Sequence, residues 1–256
     1  MTPERTKRVL LSLPDVGYRT SWLRNELLRM DLDAAAELLN ALCEQSERSE
    51  PKAREALLTV AMLFASLGEC ELVEQLRVRA AQHRLLSLDR LLRPMPPPID
   101  QARPTRELPV PDYGVGRELT LGERRSLARR PDRRAFDRLL ADPHPLVIRQ
   151  LLQNPKVTED DVVRLATIRP ARVEVLQEIA TSKRWLCRGR VRLSILFNPG
   201  SPPTLVMPLL GLCTRVELKQ VIENTKAHKV LRTTALELLE RRPPLGGPDD
   251  ADFILQ

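Results

Sequence analysis

At 256 residues the chain can bury one large or two modest cores, and 41 Lys and Arg against 34 Asp and Glu give it a net charge of +7. Aromatic residues make up only 3% and glycines number ten, while Leu, Ala, Arg and Glu dominate. Such a mixture excludes a sheet-rich protein, which needs Val, Ile, Thr and aromatics, and points to an all-α chain packed by aliphatic side chains.

The N-terminus offers no secretory signal, because the apolar stretch Val9 to Leu13 behind Arg5-Thr6-Lys7-Arg8 is broken at Pro14. Residues 1–92 read as an N-terminal helical domain of about five helices, a bundle or helix-hairpin stack. Ser21 is placed to cap a helix with Trp22, Leu23, Leu27 and Leu28 on one face, and Asp31 or Asp33 starts the next, with Leu38, Leu39 and Leu42 inward. Ser49-Glu50-Pro51 opens a third, Lys52 to Leu67, apolar nearly all round and stopped at Gly68. Its apolar run, Ala56 to Leu67, falls short of the roughly 20 residues that a membrane span requires, so a buried core helix is expected in a soluble, cytoplasmic protein. Two shorter helices, Glu69 to Gln82 and Leu85 to Leu92, complete this half.

Residues 93–116 change texture. Arg93-Pro94-Met95-Pro96-Pro97-Pro98, then Pro104, Pro109 and Pro111, remove donors and favour extended backbone, which predicts a Pro-rich linker. Tyr113 is placed to pin the end of that linker onto the first of the repeats beyond it.

Residues 117–242 repeat a pattern of short helices. Thr120-Leu121-Gly122-Glu123, Thr158-Glu159-Asp160-Asp161 and Thr214-Arg215-Val216-Glu217 have the spacing of capping boxes, and Asn154-Pro155 recurs as Asn198-Pro199. Pro131 and Pro170 punctuate at matching places. This grammar divides the stretch into three repeats, 120–157, 158–201 and 202–242, with periods of about 38 to 44 residues, the second lengthened around Trp185. Two or three helices at this period are the mark of HEAT and armadillo arrays, whose repeats share a continuous core. The stretches Leu119 to Ala128 and Asn154 to Ala166 resemble the HEAT-like and leucine-rich-repeat-variant α-solenoids, and more narrowly a family of bacterial helical-repeat proteins, over residues 110–240. The resemblance implies a right-handed α-solenoid fold and no activity, so it supplies no functional residue. Residues 243–256 read as an acidic, flexible tail that ends in Phe253-Ile254-Leu255.

The charge is uneven. Residues 1–92 hold 13 basic and 14 acidic side chains, whereas residues 117–242 hold 25 and 14. Two arginine-rich groups stand out as a candidate basic surface: Arg124, Arg125, Arg129, Arg133, Arg134 and Arg138 in the first repeat, and Lys183, Arg184, Arg188 and Arg190 in the second. Such groups on a curved stack can follow a phosphate backbone or meet an acidic protein face. The competing reading is a solvated face, since Glu118, Glu123, Asp132 and Asp137 interleave. Trp185 beside Lys183 and Arg184 is a candidate aromatic contact, or else a filler between repeats.

Cys43, Cys70, Cys187 and Cys213 form no CxxC pair and read as small hydrophobes. His83, His144 and His228 share no partner, and Glu159-Asp160-Asp161 suits a helix N-terminus better than a metal. No catalytic residue, cofactor or metal ligand is nominated. The expectation is a non-catalytic scaffold binding another protein with an acidic surface, the alternative being a nucleic-acid binder.

Overall fold

A helix leaves its first amides and last carbonyls without partners inside itself, so its ends fall where the sequence supplies substitutes. The computed structural model describes residues 1–96, 109–130 and 133–242, with the side chains of Arg133 and Arg134 outside that description. Among the described residues there are sixteen helices and no strand. Tail residues 243–256 and residues 97–108, half of the Pro-rich linker, lie outside the described residues.

The first six helices are α1 (Pro3–Ser12), α2 (Val16–Arg29), α3 (Leu32–Glu47), α4 (Pro51–Leu67), α5 (Glu71–Gln82) and α6 (Leu86–Leu92). Thr2, Asp15 and Asp31 accept from the amides of Arg5, Gly17 and Asp33 and so cap α1, α2 and α3. Six helices stand where about five were expected. Thr2-Pro3 is a start signal in its own right, and Asp15 supplies a cap earlier than Ser21, which lies inside α2. Gly68, at φ 63°, ends α4 with a conformation that favours glycine.

The central helices are α7 (Leu121–Arg129), α8 (Arg133–Ala141), α9 (Pro145–Leu152), α10 (Glu159–Thr167), α11 (Val173–Ala180), α12 (Lys183–Leu186) and α13 (Gly189–Leu196). Last come α14 (Pro203–Leu212), α15 (Arg215–Glu223) and α16 (Lys229–Arg241). All three capping boxes form, at Thr120 with Glu123, Thr158 with Asp161 and Thr214 with Glu217. The lengthened connection around Trp185 is the one-turn helix α12.

The described residues fall into two compact units, divided at Pro96 and again between Ser201 and Pro202. The first unit joins α1–α6 with α14–α16; the second holds α7–α13. The repeat pattern assigns residues 202–242 to the C-terminal domain as its third repeat, whereas α14–α16 group with the N-terminal helices. The physical reason lies in two helices without a polar face. From Ala53 to Ala65 every residue of α4 except Glu55 is buried, and α14 buries Thr204 to Leu210 and Leu212. Each needs enclosure on several sides, and α14 packs on α4 and α6 while α1, α2 and α3 cover the rest of α4. At Gly211 the two helices come close, since a Cβ there would sit 3.1 Å from Leu57 Cδ2.

Charged groups then tie the late helices of this unit to the early ones. The Glu47 carboxylate, 6% exposed, accepts from Arg90 Nε (2.9 Å) and Nη2 (2.7 Å), Ser87 Oγ (3.0 Å) and Arg241 Nε (2.7 Å). Arg93 forks onto Glu237 (3.0 and 3.1 Å) and also donates to Thr234. Lys7 is buried against Glu4 and Glu50. Arg54 reaches the Leu212 carbonyl, and Arg242 those of Gly211 and Cys213. All four cysteines are free thiols; Cys43 and Cys213 are buried, and burial pushes the Cys43 thiol up. No described helix is long and apolar enough to cross a membrane.

Breaking a buried ion pair by removing one partner strands the other charge. Arg90→Ala is expected to lower unfolding free energy by about 3 kcal/mol, read from the urea midpoint. Arg93→Ala, whose partner is more exposed, is expected to lower it by about 1 kcal/mol or less.

Candidate interaction surface of the second unit

Within α7–α13 the recurring Asn-Pro marker has a mechanical role. Asn154 follows Gln153, the C-cap of α9, and its Nδ2 donates to the carbonyls of Ala128 (3.4 Å) and Arg129 (2.8 Å), two of the unpaired carbonyls that end α7. Its Oδ1 accepts from Lys156 N, which turns the chain. Asn198 follows α13 in the same way: Nδ2 donates to Ala166 (2.7 Å) and Ile168 (3.3 Å) at the end of α10, and Oδ1 accepts from Gly200 N. Both asparagines are buried, at 6% and 4% exposure. Since each latch joins two C-terminal ends, α7 lies beside α9 and α10 beside α13, each pair running in one direction.

A second buried point holds the start of this unit. The Asp142 carboxylate, fully buried, accepts from Arg124 Nη1 (2.8 and 2.7 Å), Tyr113 Oη (2.6 Å) and His144 N (2.9 Å). Tyr113 thus fastens the chain end that leaves the linker, and burial with this bond pushes its hydroxyl up. Arg172 reaches back from the start of α11 to the carbonyls of Leu140 (2.9 Å), Ala141 and Asp142 at the end of α8, with burial pushing its guanidinium down.

The candidate basic surface is therefore divided. Arg124 is 7% exposed and belongs to the Asp142 cluster, not to the surface. Arg125 is half-buried, Arg129 and Arg138 are exposed, and the Arg138 guanidinium lies against Gly114. The side chains of Arg133 and Arg134 lie outside the described residues. Lys183 is half-buried. Arg184 sits over the Trp185 ring at 4.4 Å and donates to the carbonyls of Asn154 and Val157. Trp185 itself is 1% exposed, with its indole N–H on the Leu152 carbonyl (2.8 Å); it fills the core and offers no open aromatic platform.

Arg188 pairs with Glu159 (3.4 Å) and Arg190 with Asp160 (2.8 Å) across α13 and α10. Arg149 pairs with Glu178 and Arg164 with Asp137. The acidic triplet that opens α10 thus has two tasks: Asp161 closes the capping box, and its neighbours meet arginines. Partners 27 to 30 residues apart carry no local signal, which is why this pairing is invisible in sequence. What emerges is a mixed-charge face.

Next to it, α10 and α13 leave a groove of about 340 Å³, lined by Val163, Thr167, Arg169, Arg190, Leu193 and Phe197 along with Ser194 and Asn198. Val163, Leu193 and Phe197 are half-buried, whereas Arg169 and Arg190 are exposed. Sequence reasoning does not single out this groove. Its one legible sign is the set of apolar residues left over on α10 and α13 after the core positions are assigned.

No protein-family model, curated protein or solved structure matches this chain.

Asn198→Ala removes three bonds and strands two helix-end carbonyls. It is expected to destabilise the protein by about 2–4 kcal/mol in urea unfolding, whereas exposed Lys156→Ala changes it by less than about 0.5 kcal/mol. The Glu123 carboxyl is held down to about 2 by Arg117 and by the amide and hydroxyl of Thr120. A depressed carboxyl favours the fold above its ordinary pKa and loses that contribution as pH falls through its lowered value. Glu123 should accordingly titrate near 2 by carbon-detected NMR, and Arg117→Ala should move the midpoint up towards the ordinary carboxylate range.

Proposed function

We propose that residues 117–201 form two turns of a HEAT-like α-solenoid, and that the protein is a non-catalytic scaffold binding another protein through this unit. The observation that carries the reading is the α10/α13 groove, an apolar floor half open to solvent beside a mixed-charge face. Partly exposed aliphatic and aromatic side chains rimmed by charge are the usual makeup of a protein-binding patch. The matching Asn154 and Asn198 latches support the repeat reading, because each closes the same pair of helix ends.

A second reading, nucleic-acid binding, draws on Arg129 and Arg138, which are exposed and have no ion-pair partner among the described residues. Phosphate recognition favours rows of free cations, and here Arg188 and Arg190 are each matched by a carboxylate.

Affinity capture with the folded full-length chain is expected to recover the same protein partner repeatedly, and Leu193→Lys to lose it with helical content by circular dichroism unchanged. Recovery undiminished by Leu193→Lys would remove the groove from the argument. Duplex DNA retention is expected to be weak at low salt; tight binding that falls steeply with log salt would replace the scaffold reading by the second one.

A further inference from the structure

We infer that the α10/α13 groove selects a peptide segment carrying a carboxylate beside a bulky apolar side chain, an inference that rests on the scaffold reading and names its ligand. The floor is Val163 from α10 with Leu193 and Phe197 from α13 and its C-cap, each half-buried. The neutral polar lining has its donors engaged already. Thr167 Oγ1 donates to the Val163 and Arg164 carbonyls, Ser194 Oγ to Val191, and the Asn198 amide to Ala166 and Ile168. Charge and apolar contact are then the two means of recognition left in the groove.

The charge is positive. Arg169 is exposed and has no ion-pair partner among the described residues. Among the described residues Arg190 pairs with Asp160 at 2.8 Å, and both side chains are open to water, at 64% and 72% exposure. A screened surface pair of this kind contributes little, so an incoming carboxylate can exchange with Asp160 at small loss. Arginine favours that exchange because its planar fork binds a carboxylate through two parallel bonds. The groove's volume lies at the small end of ligand sites, which run roughly 300–1,000 Å³, and this suits one or two large side chains. A phosphate chain would leave the apolar floor unused.

Fluorescence anisotropy with the full-length chain tests this. The probe is a short labelled peptide of Phe and Leu flanked by Asp; the controls carry Lys in place of Asp, or Ala in place of Phe and Leu. The acidic apolar peptide is expected to bind, and both controls to bind at least roughly tenfold more weakly. Arg169→Ala with Arg190→Ala should cut binding by a similar factor and flatten its salt dependence. Asp160→Asn should tighten it several-fold, because Arg190 is released, and a variant that merely failed to fold would not do so. Equal binding of acidic and basic peptides, weaker binding by Asp160→Asn, or no binding of any probe would overturn the inference. The scaffold reading would survive those results if the partner captured by the full chain still depends on Leu193, and would fall with them if no partner is captured.

Discussion

Two buried asparagine side chains do for this molecule what a longer helix would otherwise have to do for itself. Helices of eight or nine residues leave a large share of their carbonyls beyond the reach of their own amides, and packing such ends against each other in an apolar setting carries a heavy desolvation cost. Asn154 and Asn198 answer this with one side chain apiece. The amide donates to the carbonyls that end a neighbouring helix, and the oxygen accepts from the adjoining turn. The same contact that satisfies the backbone fixes which helices lie together and in what direction. Trp185 on Leu152, Arg172 on the end of α8 and Arg184 on the turn after α9 extend this scheme, each a long side chain donating to backbone carbonyls of a distant helix end or turn.

This explains why the middle of the chain is so rich in arginine without presenting a uniform cationic face. Some of the guanidiniums are structural donors to carbonyls, Arg124 is sunk beside Asp142, and others stand opposite carboxylates on the adjacent helix. What remains is a surface that mixes matched ion pairs with exposed arginines such as Arg129, Arg138 and Arg169, and that holds half-buried apolar side chains between α10 and α13.

Much of the local architecture was legible from residues alone, because capping and punctuation act over three or four positions. Thr120, Thr158 and Thr214 opened helices where their capping boxes indicated, Gly68 stopped α4, and Tyr113 fastened the linker end. Thr2-Pro3 carries the same kind of signal and marks α1, which the pattern of apolar residues alone left out, while Asp15 starts α2 earlier than Ser21. What the residues did not disclose depends on distance along the chain. The ion pairs of Arg149, Arg164 and Arg188 join positions 27 to 29 apart, and a buried arginine looks like an exposed one until its acid is found. The grouping of α14 with α4 was hidden for a related reason: an apolar helix announces that it will be enclosed, but not by what.

That grouping has a consequence for how the molecule is made. The helices completing the first unit leave the ribosome only after all seven helices of the second, and Glu47 waits for Arg241, 194 positions later, to receive its fourth donor. Until then α4 emerges with one flank bare, while the intervening helices hold within themselves all that their own latches require. Synthesis thus runs inside out. The middle of the polypeptide is free to settle while its beginning is still incomplete, and a nascent chain cut short before α14 would expose an oily helix to whatever chaperone stands nearest.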